Sequence, residues 1–301
     1  MDSRDIKEEP GKIQDGRFLE EIYSMQKNLL SNYIGIEGLP QYPIDVNTKA
    51  SQILLKDFTG RVIEELSEGY ESFQLVSDIY ENHCPDFMRG KLGIEYIELL
   101  NHLQNANEEN ADAIHFMVEL LIYANIQPED IQAYMDKWKD KNLGTDAVMH
   151  LTAHRYDTLY QAMFIGLTWF GMAGDIQPIA PMNCASLIRY YLESDSDELP
   201  EYNEKLLVGG NNYNAISYRL HYPYMLWYIT HHLNIARNFL KNKPWKQSEM
   251  MTQEIKYQEE LVKAFIYMCG YFARLGMDSE NVFYIYFKKN HINQFRIKSK
   301  Y

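Results

Sequence analysis

EENADAIHFMVELLIYA, residues 108–124, decides the fold class of this chain. Glu108, Glu109 and Asp112 crowd its first turns, and acidic side chains suit a helix N-terminus because the first backbone N–H groups carry partial positive charge. From Ala113 onward the run is almost wholly apolar, so the helix it predicts must sit against a core. Before it in the chain, ILLKDFTGRVIEELSEGY (residues 53–70) repeats Leu54, Phe58, Val62, Leu66 and Tyr70 at helical spacing, with Gly60 as its weak point. FLEEIYSMQKNLLSNY (residues 18–33) does the same through Phe18, Ile22, Met25, Leu29 and Leu30. Further helices are expected over Ile94–Leu103, from Pro128 to about Asp140, and over Val148–Met172, Ser217–Leu240, Ser248–Leu275 and Ser279–Arg296. Breaks are expected at Gly35–Pro43 and Asn82–Gly93, a turn at Asn105–Asn107, and irregular chain over Gly174–Asn214, with short β runs only near Ile176–Ile179. The expectation is an all-α, multi-helix bundle: a polar tail over residues 1–17, then one domain over residues 18–301 without an internal repeat.

Composition narrows the function classes. With 16 glycines and 10 prolines in 301 residues, 46% hydrophobic and 24% charged, the chain has the makings of a substantial core, which excludes disorder over most of its length. A net charge of −13 opposes binding to nucleic-acid phosphates or anionic lipid, so neither nucleic acid nor membrane is an expected partner. An anionic ligand would need a cation between it and the protein. Residues 1–16 lack a signal-peptide apolar core, and the most apolar stretch, Ala162–Gly174, is too short for a bilayer, so the chain reads as cytoplasmic. Three cysteines, Cys84, Cys184 and Cys269, form no CxxC pair and read as free thiols.

The chemistry concentrates in two acidic helix faces. At 100° per residue Glu64, Glu68 and Glu71 share one stripe, with Glu65 a three-residue step from Glu68. On the second helix Glu109 and Asp112 are three apart, Glu108 and Asp112 four, and His115 lies one step further. Each face alone reads as solvated. Carboxylates beside an apolar core are costly unless paired or metal-bound, however, and two such faces brought together offer oxygen ligands to hard divalent cations, Mg²⁺ above all.

The order EExxE then ExxD, here Glu64-Glu65-Leu66-Ser67-Glu68 and Glu109-Asn110-Ala111-Asp112, resembles the signature of the all-α nucleoside triphosphate pyrophosphatases, the MazG-like superfamily. Asp112-Ala-Ile-His115-Phe116 resembles the DxxHF extension of its dimeric dUTPase branch. The blocks around Asn242-Lys-Pro-Trp-Lys246 and from Tyr286-Phe-Lys-Lys-Asn290 to Arg296 and Tyr301 resemble that branch's C-terminal motifs. The spacing from Glu68 to Glu109 exceeds the family's usual one and implies an insertion around Glu71–Ala106, while residues 125–235 match little. Family members often place an asparagine shortly after the glutamine's Leu, whereas Gln26 is followed by Lys27, Asn28, Leu29 and Leu30, and Lys300 stands where a glycine is usual.

The resemblance implies a Mg²⁺-dependent homodimer, with two or more ions per site, that hydrolyses dUTP and dUDP at the α-phosphorus to dUMP with pyrophosphate or phosphate. It makes Glu65, Glu68, Glu109 and Asp112 the metal ligands and Glu64 or Glu65 the general base. Gln26 would read the base; Lys289, Asn293 and Arg296, aligned on one helix face, would meet phosphate oxygens; His115, Asn290 and Tyr301 would assist. Trp245 would cover the site or pack. Two alternatives stay open: the same chemistry on dCTP or a modified deoxypyrimidine triphosphate, and a non-catalytic acidic helical module that binds nucleotide or protein. His150 and His154 lack the glutamate of a zinc-protease helix, and adjacent His231 and His232 point to different faces. The chain has no P-loop, dinucleotide-binding or nucleophile-elbow motif.

Overall fold

A computed structural model of the chain describes residues 5–13, 16–87, 93–142, 157–170, 215–242, 250–275 and 277–299. These residues are all-α, with eight helices and no strand: α1 (Phe18–Glu37), α2 (Lys49–Phe87), α3 (Ile94–Tyr123), α4 (Pro128–Asn142), α5 (Thr158–Trp169), α6 (Ala215–Phe239), α7 (Glu254–Arg274) and α8 (Ser279–Ser299). No helix among them is long and apolar enough to cross a membrane. Gly174, the sequences GGNN and ESDSDELPE, His150, His154, Ile176–Ile179, Cys184, Trp245 and Tyr301 lie outside the described residues.

α2 and α3 pack antiparallel along most of their length. Phe58 stacks on Tyr123, Gly69 faces Ala106 and Asn110, and Ser72 accepts a hydrogen bond from Asn105 Nδ2 at 2.8 Å, so the numbering rises on one helix as it falls on the other. Both helices are longer than the sequence pattern suggests. α2 continues past Tyr70 because Phe73 and Val76 keep the buried stripe going, and α3 runs straight through Asn105–Asn107. The turn expected there is absent because Ala106 and Asn107 are buried in the helix pair; tertiary packing overrides the weak preference of asparagine for turns. The described residues between the two acidic motifs therefore extend α2 and α3 beyond Gly69 and Ala106.

Local chemistry fixes several helix ends. Asp157 Oδ1 accepts from Tyr160 N at 2.9 Å, and Asp278 and Asn281 exchange bonds, Asn281 N to Asp278 Oδ1 at 2.8 Å and Asp278 N to Asn281 Oδ1 at 3.2 Å. α1 closes on Gly38 at φ +70°, a left-handed conformation that glycine adopts without steric cost. Around the α2–α3 pair, α1 and α8 pack against α3 and each other, while α7 lies between α5 and α6. Cys269, on α7, is a buried free thiol.

The polar N-terminal segment is tied down. Ile6 is buried, and the Lys288 ammonium on α8 donates to Ile6 O at 2.9 Å, Glu8 O at 3.0 Å and Glu9 Oε1 at 2.6 Å. Lys288 is 1% exposed, so these acceptors replace water for a charge that would otherwise be stranded. Lys288→Met is expected to release residues 5–9, read as trypsin cleavage after Lys7 and Lys12 that is faster than in the parent by about tenfold or more, the equivalent of one or two charged hydrogen bonds. Unchanged cleavage would show that Ile6 alone holds the segment.

Candidate metal centre

Glu65 of α2 and Glu109 and Asp112 of α3 converge, each offering a carboxylate oxygen within 4.8 Å of the others. The antiparallel pairing makes this happen: Phe58, Val62, Gly69 and Ser72 bury one stripe of α2 against α3, and Glu65 falls on it. Burial pushes the Glu65 carboxyl up to about 8, and the Asp112 charge, a hydrogen bond to Glu109 and the charges of Glu109 and Glu68 push the same way. Glu109 is also raised by burial, although the proton donated by Glu65 and the Lys289 ammonium oppose the rise. The two neighbouring carboxyls are thus both held above the usual carboxylate range. Lys289 on α8 reaches Asp112 Oδ2 at 2.6 Å, both side chains largely out of solvent.

Glu65 and Asp112 open onto a cavity of about 270 Å³. Leu29, Tyr33, Leu39, Leu54, Phe58 and Phe116 give it apolar and aromatic walls; Gln26, Arg61, His115, Glu119, Asn293 and Arg296 supply polar ones. Arg61 lies over the rings of Phe58 and Phe116, 5.6 and 5.4 Å from their centroids. His115 is neutral, since burial pushes it down to about 4. Its Nδ1–H donates to Ala111 O at 2.8 Å, which leaves Nε2 an acceptor, and this atom is buried without a partner. The ring stacks on Tyr286, whose hydroxyl donates to Gln26 Oε1 at 2.5 Å.

The structure thus brings together Glu65, Glu109, Asp112 and Lys289, and beside them Gln26, His115, Asn293 and Arg296. Glu68 is exposed, close enough for its charge to raise both Glu65 and Glu109 yet outside the trio of carboxylates. Glu64 and Glu71 are exposed as well. Asn290 is fully buried and donates from Nδ2 to the Tyr286 oxygen at 3.5 Å. The two adjacent histidines diverge as expected, with His231 exposed and His232 Nδ1 bonded to Glu260 Oε2 at 2.6 Å. The sequence reading missed Phe58, Arg61 and Glu119 as cavity residues and Tyr286 as the partner of Gln26. A signal was present, since Phe58, Arg61 and Glu65 on α2 and Asp112, His115, Phe116 and Glu119 on α3 recur at three- and four-residue steps.

Compared with protein-family models, curated proteins and solved structures, the chain matches none of them.

Proposed function

We propose that this chain is a Mg²⁺-dependent dUTP diphosphatase, hydrolysing dUTP, and dUDP with it, at the α-phosphorus. One observation carries the reading: residues from four distant parts of the sequence, at Gln26, Glu65, Asp112–Phe116 and Asn293–Arg296, line a single cavity with the carboxylate trio at its edge. The donors suit a hard cation. They are all oxygens, three carboxylates face one ammonium, and the crowding that raises Glu65 and Glu109 is what a bound cation would relieve.

Glu65, Glu109 and Asp112 would hold the metal, which supplies positive charge to a polyphosphate and acidifies water. Lys289 keeps Asp112 oriented toward its neighbours. Arg296 and Asn293 offer donors to phosphate oxygens, Arg296 in a planar fork that matches them. Phe58, Phe116 and Tyr33 provide apolar faces for a base and exclude water from it. The reaction balances simply: a water oxygen bonds to the α-phosphorus, the bond from that phosphorus to its bridging oxygen breaks, pyrophosphate or phosphate leaves, and the proton lost by the water passes to the leaving group or to bulk solvent. Of the two adjacent glutamates Glu65 adjoins the cavity and Glu64 is exposed, so the role of metal ligand is assigned to Glu65.

Product analysis with dUTP, dUDP, dCTP, dTTP and UTP tests this, with Mg²⁺ or with chelator. Release of dUMP from both dUTP and dUDP, abolished by chelator, is expected. Turnover of dCTP alone would change the substrate and keep the chemistry, and turnover of none by folded, metal-supplied protein would overturn the reading.

A further inference from the structure

Tyr286 is fully buried between His115 and Gln26, both of which line the cavity. Its ring lies 4.1 Å from the His115 ring at 15° between planes, and its hydroxyl is 2.5 Å from Gln26 Oε1. That separation lies within the range of O–H···O bonds and is shorter than N–H···O bonds allow. The phenol is therefore the donor, and the Gln26 atom facing it is the carbonyl oxygen rather than the amide nitrogen. The groups behind Tyr286 run in the same sense. Gln294 Nε2 donates to Asn290 Oδ1 at 2.7 Å, and Asn290 Nδ2 donates to the Tyr286 oxygen at 3.5 Å. Three hydrogen bonds thus point one way from α8 to α1, each favouring the polarity of the next. Burial and the nearby Glu119 charge keep the phenol protonated. With Oε1 occupied, the end of the Gln26 amide left for the cavity is Nε2, a donor.

We infer that Tyr286 is a positioning residue for base selection: by fixing the Gln26 amide it presents an N–H donor to the 4-position of a pyrimidine. A 4-keto base such as uracil is accepted there. A 4-amino base such as cytosine sets donor against donor and leaves both unsatisfied, which is how a site refuses a ligand of the same size. This inference rests on the nucleotide reading of the cavity.

Calorimetric binding of dUMP and dCMP, beside hydrolysis of dUTP and dCTP, tests it in the parent, Tyr286→Phe and Gln26→Glu. The parent is expected to prefer dUMP by about tenfold or more. Tyr286→Phe keeps the ring on His115 and frees the amide, so most of that preference disappears, in KM for dUTP rather than in kcat. Gln26→Glu accepts the Tyr286 hydrogen bond with one carboxylate oxygen and offers the other to the cavity as an acceptor, so the preference turns toward dCMP. If both folded variants keep the parent's preference, the inference fails; if Tyr286→Phe does not fold, Gln26→Glu alone decides. A parent that selects dUMP without hydrolysing any triphosphate would overturn the diphosphatase reading and leave the role of Tyr286 standing. A parent that binds neither nucleotide would overturn both.

Discussion

Glu65→Gln is expected, on the proposed diphosphatase function, to lower Mg²⁺-supported hydrolysis of dUTP by at least about a hundredfold, the loss that follows when one carboxylate leaves a metal centre worth several kcal/mol to such a reaction. The same change is expected to stabilise the protein without metal at pH 8. The Glu65 carboxyl is raised in the folded chain to about 8, so its contribution to stability is fully present below its unfolded value, near 4.5, and is lost as the pH climbs through 8. Glutamine stays neutral throughout and removes that slope. Because Glu65 is only half-buried, the effect after screening is about 1–2 kcal/mol, or roughly 2–3 °C in Tm for a chain of this length. His115 acts in the opposite sense at lower pH: its folded value of about 4 lies below the usual one, so stability falls as the pH drops from about 6.5 toward 4. Comparing parent and variant at each pH isolates Glu65, since His115 is common to both. Melting curves from pH 5 to 8.5 with and without Mg²⁺ should show the parent gaining more from the metal than the variant does, and most at high pH. Parental turnover by Glu65→Gln would remove the carboxylate trio from the chemistry.

Glu65 also shows where sequence reading stops. Periodicity places Glu64, Glu68 and Glu71 on one stripe of α2 and invites the view that this stripe is the working face. It is exposed, because the direction of a helix face is set by the partner it packs on, and Phe58, Val62, Gly69 and Ser72 turn the neighbouring stripe toward α3. Glu65 was among the expected ligands through the family resemblance alone, although a carboxylate on the stripe of Val62 and Gly69 was a readable sign of the seam. The spacing of Glu109 and Asp112, with the apolar run after Ala113, needed nothing beyond helical geometry. Lys289 was legible as a helix-face cation, whereas its bond to Asp112 was not, since it depends on α8 packing across α3 from far along the chain. The Tyr286–Gln26 bond joins residues 260 positions apart and leaves no local trace at all. Hairpin length was misjudged for the opposite reason: asparagines at 105 and 107 speak locally for a turn, and burial against α2 outweighs them.

Two glycine-to-alanine changes should shift stability in opposite directions. Where α5 crosses α7, Gly166 and Gly270 let the two backbones touch. A Cβ on Gly270 would lie 2.5 Å from the Gly166 carbonyl carbon and 2.8 Å from the Leu167 nitrogen. A Cβ on Gly166 would run into the Ile266 carbonyl oxygen and the Gly270 backbone. Backbone atoms cannot rotate aside as a side chain can, so the helices must separate and loosen the contacts of Met163, Phe265 and Ile266 around the crossing. Gly270→Ala is therefore expected to cost about 3 kcal/mol, or roughly 5 °C in Tm, in spite of alanine's better helix propensity. Gly60 on α2 also sits inside a helix, yet a Cβ there would meet nothing within 4 Å. Gly60→Ala is expected to add about 0.5–1 kcal/mol, because only the conformational entropy of the unfolded chain changes. Thermal or denaturant unfolding of the two variants beside the parent measures both shifts. If Gly270→Ala stabilised the protein as Gly60→Ala does, the close crossing of α5 and α7 would not exist in solution, and the layer that backs the α2–α3 pair would have to be packed differently.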